Sequence, residues 1–275
     1  MNIVLLQPHD WIAADLAVVR DQRALHIRMV LKAQVGDSLR VGLLGGLCGQ
    51  GVIEAVEPEG VRLRVALAEP PPPRHRFDIV LALPRPKMLR RILRQCAEFG
   101  IANLHLIHSA RVEKSYWQSP LLQPAALEEA LLAGLERSRD TLAPRVHLHR
   151  RFRPFVEDQL PGICAGRPCW LAHMEAPMAL AAAPPLPAVV MIGPEGGFVP
   201  FEIQLAESVI ARRVDLGART LSVDTALITA LAQALPGTGV PAPQRQGDPL
   251  QLGRPVHAAG VLAQGACPSP MTPLP

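Results

Sequence analysis

The spacing of hydrophobic positions changes along the chain and predicts two differently built parts. In the first part, apolar and polar side chains alternate as they do in half-buried strands. The alternating segments are residues 38–43, 50–56 and 61–67. A turn signal at 57–60 separates the last two, and a helical pattern covers residues 20–31. Closely spaced short strands of this kind predict a small β-barrel module.

In the second part, continuous apolar runs alternate with amphipathic stretches. Runs that are apolar on both faces are typical of strands buried in a parallel sheet. The predicted strands are residues 77–83, 102–107, 145–148, 169–173 and 188–192, with a short segment at 214–216. The predicted helices are residues 87–99, 121–139, 200–212 and 224–235. Alternation of strands and helices predicts an α/β fold with a parallel sheet.

A run of prolines at 70–73 interrupts both patterns and is the best candidate for a linker. We therefore expect a β-barrel domain at residues 1–72 and an α/β domain at 73–238. Residues 239–275 are rich in proline and glycine and show no sustained periodicity. We expect this tail to be disordered, because it offers too little apolar surface to offset its ordering entropy.

Composition and charge narrow the possible functions. The chain has 275 residues, of which 49% are hydrophobic and 19% charged, so it is too apolar to be disordered as a whole. A net charge of +4 is compatible with a polyanionic partner. Five scattered cysteines fit neither a disulfide framework nor a zinc site, and no signal peptide or membrane-spanning stretch is evident. We expect a cytoplasmic protein without a metal.

The sharpest motif is GPEGGF at residues 193–198, between a buried strand and a helix. Ligands of open α/β sheets bind at the carboxyl ends of the strands, and glycine lets a ligand approach the backbone closely. The motif is neither a dinucleotide fingerprint nor a phosphate-binding P-loop. Taken alone, it is as compatible with a tight turn as with a binding loop.

A second loop, LGARTLSVDTA at residues 216–226, changes that balance. GPEGGF followed by LGxRxL and a final helix resembles the RsmE family of 16S ribosomal RNA uridine N3-methyltransferases, of the SPOUT class. The resemblance extends through residues 26–40, 87–100 and 136–144, and covers about residues 1–238.

This resemblance implies a SPOUT-type α/β domain with a C-terminal trefoil knot, a PUA-like N-terminal barrel, S-adenosylmethionine as the cofactor, ribosomal RNA as the substrate and a homodimer. The knot is implied by the resemblance and not by the residue patterns. The residues expected around the cofactor are Leu171, Gly193, Glu195, Gly196, Gly197, Leu216, Gly217, Leu221 and Thr225.

The chain departs from the family pattern in three places. Ser222 stands where the family usually has arginine, Asp224 where it has glutamate, and Arg137 where it has glutamine. Arg219 is a candidate to supply the missing guanidinium. The catalytic candidates are Glu195, Arg219 and Asp224, although a structural role for Glu195 is an equal alternative.

Basic residues around the linker and the first helix of the second part are candidates for contacting RNA phosphates. They are Arg74, Arg76, Arg85, Lys87, Arg90, Arg91 and Arg94, and His26 and Arg28 join them from the first part. A solvated surface is the alternative interpretation for each. Two other functions stay open: an RNA-binding protein that has lost methyl transfer, and a methyltransferase acting on another RNA nucleotide.

Overall fold

The computed structural model describes residues 1–235, which contain two six-stranded sheets. The first sheet has the strand order β1-β4-β5-β6-β3-β2. Its strands are β1 (Val4–Leu6), β2 (Trp11–Ala13), β3 (Leu16–Val19), β4 (Ser38–Leu43), β5 (Cys48–Glu57) and β6 (Gly60–Glu69). The three predicted strands correspond to β4, β5 and β6. The short strands β1 to β3 escaped prediction because three or four residues cannot display a period.

Helix α1 (Gln22–Met29) closes the core of this module, inside the predicted range. Asp21 caps the helix by accepting a hydrogen bond from the backbone N–H of Arg23. The buried guanidinium of Arg23 also donates to Asp10 at 2.7 Å. A buried cation is tolerated here because two carboxylates pair with it.

Strand β1 connects the two hydrophobic cores. Its side chains alternate, so Val4 and Leu6 pack into the core of the first sheet. Ile3 and Leu5 pack instead into the larger core that surrounds the second sheet. The first sheet is therefore docked on the second through buried apolar side chains, which stabilises their mutual placement.

The second sheet is parallel throughout, with the strand order β12-β10-β11-β7-β8-β9. Its strands are β7 (Phe77–Ala82), β8 (Asn103–Ile107), β9 (Arg145–His149), β10 (Cys169–Ala172), β11 (Ala188–Ile192) and β12 (Ala211–Val214). The central strands β7 and β11 are buried at every position. This explains why their sequences are continuous apolar runs and confirms the predicted parallel sheet.

Helices flank the second sheet, as an α/β fold requires. They are α2 (Pro86–Glu98), α3 (Pro124–Ser138), α4 (Phe152–Pro154), α5 (Leu160–Cys164), α6 (Pro200–Val209) and α7 (Val223–Ala232). α2 and α3 pack closely because Gly134 has no side chain. A Cβ there would lie 2.4 Å from the carbonyl oxygen of Arg94.

Several predicted boundaries were wrong, and one helical stretch was missed. Helix α3 begins at Pro124, not at residue 121, because Pro120–Leu122 form a separate 3₁₀ turn. Helix α6 ends at Val209, and the following residues, including Arg212, form β12 before the predicted 214–216 segment. The helical stretch 152–164, with a π-turn between α4 and α5, was missed because prolines interrupt its pattern.

The expected disordered tail at 239–275 lies outside the described residues. Within residues 1–235, no helix has the combined length and apolarity needed to cross a membrane.

Candidate active site

Three neighbouring strand ends form the candidate site. Strand β10 lies between β11 and β12, and all three run in the same direction. The segments that follow them therefore leave the sheet at one edge. Backbone hydrogen bonds join two of these segments: Leu180 N–H donates to the Asp215 carbonyl, and Asp215 N–H to the Met178 carbonyl, both at 2.9 Å. The two glycine motifs of the sequence thus belong to one edge of the sheet.

The first glycine loop, residues 193–198, folds tightly between β11 and α6. Gly197 has a φ of +73°, a conformation that favours glycine, and its N–H donates to the Pro194 carbonyl at 2.8 Å. A Cβ at Gly193 would lie 3.1 Å from the backbone nitrogen of Phe198. The loop therefore requires glycine for its own folding, whatever it binds.

The second glycine loop follows β12. Gly217 has a φ of +121°, and its N–H donates to the side chain of Asp215 at 3.0 Å. Leu171 is fully buried at the end of β10, while Leu216 and Leu221 are half-buried. The expected cofactor residues thus lie on the ends of three adjacent strands, with Thr225 in the first turn of α7.

The glycine positions fit a cofactor that is held against the backbone. Among the described residues, no atom lies within 4 Å of a Cβ built at Gly197 or Gly217. Open space therefore faces both backbones, and the half-buried Leu216 and Leu221 of the second loop supply apolar surface. S-adenosylmethionine, with apolar and hydrogen-bonding groups, suits these surroundings.

Two contacts favour the ionised form of Asp224. It is 7% exposed, and its Oδ1 accepts a hydrogen bond from the Ser222 hydroxyl at 2.6 Å. Its Oδ2 lies 3.6 Å from Nη1 of Arg91 on α2. The Ser222 hydrogen bond, and to a lesser degree the positive charge of Arg91, hold the pKa of Asp224 below its ordinary value. Asp224 is therefore a stable carboxylate and a weak base.

The other two catalytic candidates are more open. Glu195 is exposed on the first glycine loop, with Oε1 3.8 Å from Nε of Arg85. Arg219 is exposed on the second loop, and no ion pair to it exists among residues 1–235. The guanidinium beside Asp224 comes from Arg91, not from Arg219.

Two residues that sequence reasoning missed support the first glycine loop. The Arg111 guanidinium, in the segment after β8, donates to the Gly196 carbonyl. Glu202 is 3% exposed and accepts hydrogen bonds from Ala110 N–H at 2.7 Å and Val199 N–H at 2.9 Å. Glu202 thereby caps α6 and ties it to the segment after β8. Its position three residues after the N-cap was a usable signal.

The candidate RNA residues occupy three different environments. Lys87, Arg90 and Arg91 are exposed on α2, with Arg90 lying 3.2 Å from Glu129. His26 and Arg28 are half-exposed on α1, in the first sheet module. The structure thus keeps the α2 residues beside the site and places the α1 pair on the other module.

Arg74 and Arg76 are held by the protein itself. Arg74 donates to Asp140 at 2.5 Å and to the Ile101 carbonyl at 2.8 Å. The Arg76 guanidinium lies 5.3 Å from the centre of the Phe77 ring, and burial lowers its pKa. These contacts give both arginines a structural role, and their contact with RNA stays a prediction.

The cysteines of the described residues form no disulfide. Cys48, Cys96, Cys164 and Cys169 are free and buried. Among residues 1–235, no group of three or more potential metal ligands is close enough together to hold a metal ion.

Comparison with known proteins places this geometry in a family. A family model described as the RNA methyltransferase domain matches residues 70–235. A Treponema pallidum protein named Ribosomal RNA small subunit methyltransferase E is 29% identical over 267 residues, which cover 93% of this chain and 100% of that protein. A Borreliella burgdorferi protein named Ribosomal RNA small subunit methyltransferase E 1 is 22% identical over 77% of this chain and 89% of its own length.

Solved structures show the same fold. A Ribosomal RNA small subunit methyltransferase E from Neisseria gonorrhoeae, bound to S-adenosyl methionine, superposes with a TM-score of 0.67 at 17% identity. A Legionella pneumophila protein in complex with SAM also gives 0.67, at 21% identity. Each alignment covers 84% of this chain and 95% of the other. The predicted fold class, a SPOUT-type α/β domain preceded by a small β module, is confirmed.

Proposed function

Since the chain belongs to the RNA methyltransferase family, we propose that it methylates N3 of a uridine in 16S ribosomal RNA, with S-adenosylmethionine as the methyl donor. The observation that carries the proposal is that two glycine loops follow β11 and β12 at one edge of the parallel sheet, and that the second loop leads to the buried carboxylate of Asp224. The names of the relatives, both small-subunit rRNA methyltransferases, support the substrate class.

The two glycine loops would hold the cofactor largely through backbone groups. The open space at Gly197 and Gly217 would take its polar groups, and the half-buried Leu216 and Leu221 would provide apolar contacts. When bound, S-adenosylmethionine supplies an electrophilic methyl group on a positively charged sulfur. The role of this edge is to position the base for that transfer, which accounts for much of the catalysis in such reactions.

The site must also manage the proton on N3. As the bond between N3 and the methyl carbon forms and the carbon–sulfur bond breaks, the N3 proton has to leave. The exposed carboxylate of Glu195 would accept it and release it to water, since Asp224 is held as a weak base. Arg219 and Arg91 would stabilise the negative charge that develops on the uracil ring.

In this proposal, the first sheet module holds the RNA and the second carries out methyl transfer. The first sheet ends at Glu69 and the second begins at Phe77, so a boundary near residue 72 separates an RNA-holding module from the methyltransferase domain. The knot that the family resemblance implies would lie in the segment ending with α7.

We also propose a cytoplasmic homodimer that acts during ribosome biogenesis. Sedimentation of the purified protein tests the dimer.

Titration calorimetry with S-adenosylmethionine, combined with nucleoside mass spectrometry of rRNA from cells with and without the gene, tests the proposed function. We expect saturable binding and loss of N3-methyluridine in the deletion strain. Binding without that loss would favour another RNA nucleotide as the target. Absence of binding would favour an RNA-binding protein that has lost methyl transfer.

A further inference from the structure

An exposed aromatic residue lies next to the first glycine loop. Phe201 is the second residue of α6 and is 49% exposed. The Arg153 guanidinium lies 5.2 Å from the centre of its ring. A half-exposed phenylalanine contributes less to the core than a buried one, and the guanidinium defines its position. Flat surfaces of this kind are where unpaired RNA bases stack.

Further arginines follow the strands that end on the same edge of the sheet. Strand β8 pairs with β7, and β9 pairs with β8, all in parallel, so the segments after β8 and β9 leave the sheet at the edge that carries the glycine loops. Arg111 follows β8, and Arg150, Arg151 and Arg153 follow β9. All four are exposed. Among the described residues, the one carboxylate within 4 Å of these guanidinium groups is that of Glu157, 3.8 Å from Arg153 Nε. This balance favours a polyanion.

Direct contacts connect this surface to the candidate active site. Arg111 donates to the carbonyl of Gly196 in the glycine loop. Phe198, at the end of that loop, packs against Phe152, with 5.8 Å between ring centres, and Phe152 precedes Arg153 in the chain. The surface is thus attached to the loop on which Glu195 lies. An RNA strand that places its base at the glycine loops would extend across these side chains.

We propose that Arg111, Arg150, Arg153 and Phe201 form a shelf that binds the RNA next to the methylated nucleotide. Phe201 stacks with a neighbouring unpaired base, while Arg111, Arg150 and Arg153 contact phosphates. Arg150 is pre-ordered for this, because its guanidinium lies 5.1 Å from the centre of the Trp117 ring. The proposal rests on the proposed function, and it adds an RNA subsite that neither the glycine loops nor α2 supplies.

Binding of a fluorescent 16S rRNA transcript and methyl transfer to purified small ribosomal subunits test the shelf. The variants are Phe201→Ala, the conservative Phe201→Tyr, and Arg153→Ala. The matched control is Arg145→Ala, because Arg145 is also exposed but lies at the amino end of β9, on the opposite edge of the sheet. Titration with S-adenosylmethionine and circular dichroism accompany each variant.

We expect Phe201→Ala to weaken RNA binding and raise the KM for subunits about 10-fold, as loss of one stacked base does, with Phe201→Tyr close to wild type. Arg153→Ala should reduce the salt dependence of RNA binding by about one phosphate contact. Cofactor affinity should stay unchanged in all variants.

Wild-type RNA affinity and KM in Phe201→Ala, or an equal loss in Arg145→Ala, would overturn the shelf and leave the proposed function standing. If a variant loses activity on whole subunits but keeps its affinity for the free transcript, the surface contacts a ribosomal protein and not RNA. That result would also overturn the shelf. If the unaltered chain neither binds RNA nor transfers methyl groups, the proposed function fails as well.

Discussion

The hydroxyl of Ser222 donates a hydrogen bond to the carboxylate of Asp224, with 2.6 Å between Oγ and Oδ1. These are two of the positions at which the chain departs from the family pattern. Asp224, which is shorter than glutamate, is hydrogen-bonded to Ser222, which is shorter than arginine. Nη1 of Arg91, on α2, lies 3.6 Å from Oδ2 of Asp224. The two departures are therefore compatible with each other, because together they keep a charged carboxylate at the start of α7.

Replacing Ser222 by alanine should raise the pKa of Asp224, since the lost hydrogen bond is the main cause of its low value. A carboxylate whose pKa is lowered by folding stabilises the folded state when the pH is above its pKa in the unfolded chain, about 3.9. This contribution disappears as the pH falls through the lower pKa of the folded state. We expect Ser222→Ala to lose about 1–2 kcal/mol at pH 7, with the loss shrinking in acid. Urea unfolding at several pH values measures both effects.

Ser222→Thr keeps the hydroxyl and is the matched control. Equal destabilisation of Ser222→Ala at pH 7 and under strongly acidic conditions would contradict the assigned role of the hydrogen bond.

Gly196→Val should abolish cofactor binding while leaving the fold intact. The added Cβ would lie 2.9 Å from Cδ of Arg111, which is a flexible exposed side chain, so the variant can adjust at the loop surface. Movement of Arg111 would break its hydrogen bond to the Gly196 carbonyl, so the loop that would bind the cofactor would lose this support. Calorimetry with S-adenosylmethionine and thermal unfolding measure the two effects separately.

The control is Gly162→Ala, on helix α5, where no atom among the described residues lies within 4 Å of the new Cβ. Unchanged cofactor affinity in Gly196→Val would remove the first glycine loop from the binding site.

Arg74→Ala should lower stability more than it lowers RNA affinity, unlike Arg90→Ala. Arg74 pairs with the buried Asp140, so its removal leaves a buried carboxylate without its partner, at a cost of about 1–3 kcal/mol. Arg90 forms only an exposed pair with Glu129, which contributes little to stability. Urea unfolding and RNA-binding titrations at two salt concentrations compare the variants. A stable Arg74→Ala variant with weak RNA binding would restore Arg74 to the RNA surface.

Glu202→Ala should destabilise the protein by about 1–2 kcal/mol, because it removes the acceptor of two part-buried N–H groups, those of Ala110 and Val199. Glu202→Gln keeps one acceptor oxygen and should lose less. We expect urea unfolding to rank the three proteins, from most to least stable, as wild type, Glu202→Gln and Glu202→Ala. Equal stability of all three would show that these N–H groups find other partners.

The fold was predictable where apolar side chains form long regular patterns. β7, β11 and α2 were predicted because full burial or a strong apolar face dictates their residues. β1 to β3 were too short to show a period, and β12 was hidden because Arg212 and Arg213 resemble the end of a helix. The knot stays a prediction, since local patterns carry no information about how a chain is threaded.

The candidate site was predictable only in part. The glycine motifs identified the two loops, because glycine is required where φ is positive, as at Gly197 and Gly217. The contacts Arg91–Asp224 and Arg111–Gly196 join residues that are far apart in the sequence, so only the folded chain reveals them. For the same reason Arg74 was predicted as an RNA residue, although folding brings it to Asp140.

The most direct test of the central claim is methyl transfer in vitro. Purified protein is incubated with isotopically labelled S-adenosylmethionine and small ribosomal subunits lacking the modification, and the rRNA is digested for nucleoside mass spectrometry. We expect labelled N3-methyluridine in 16S rRNA, and we expect less of it when the Gly196→Val variant is used. RNA that stays unlabelled, or label confined to another nucleoside, would contradict the claim.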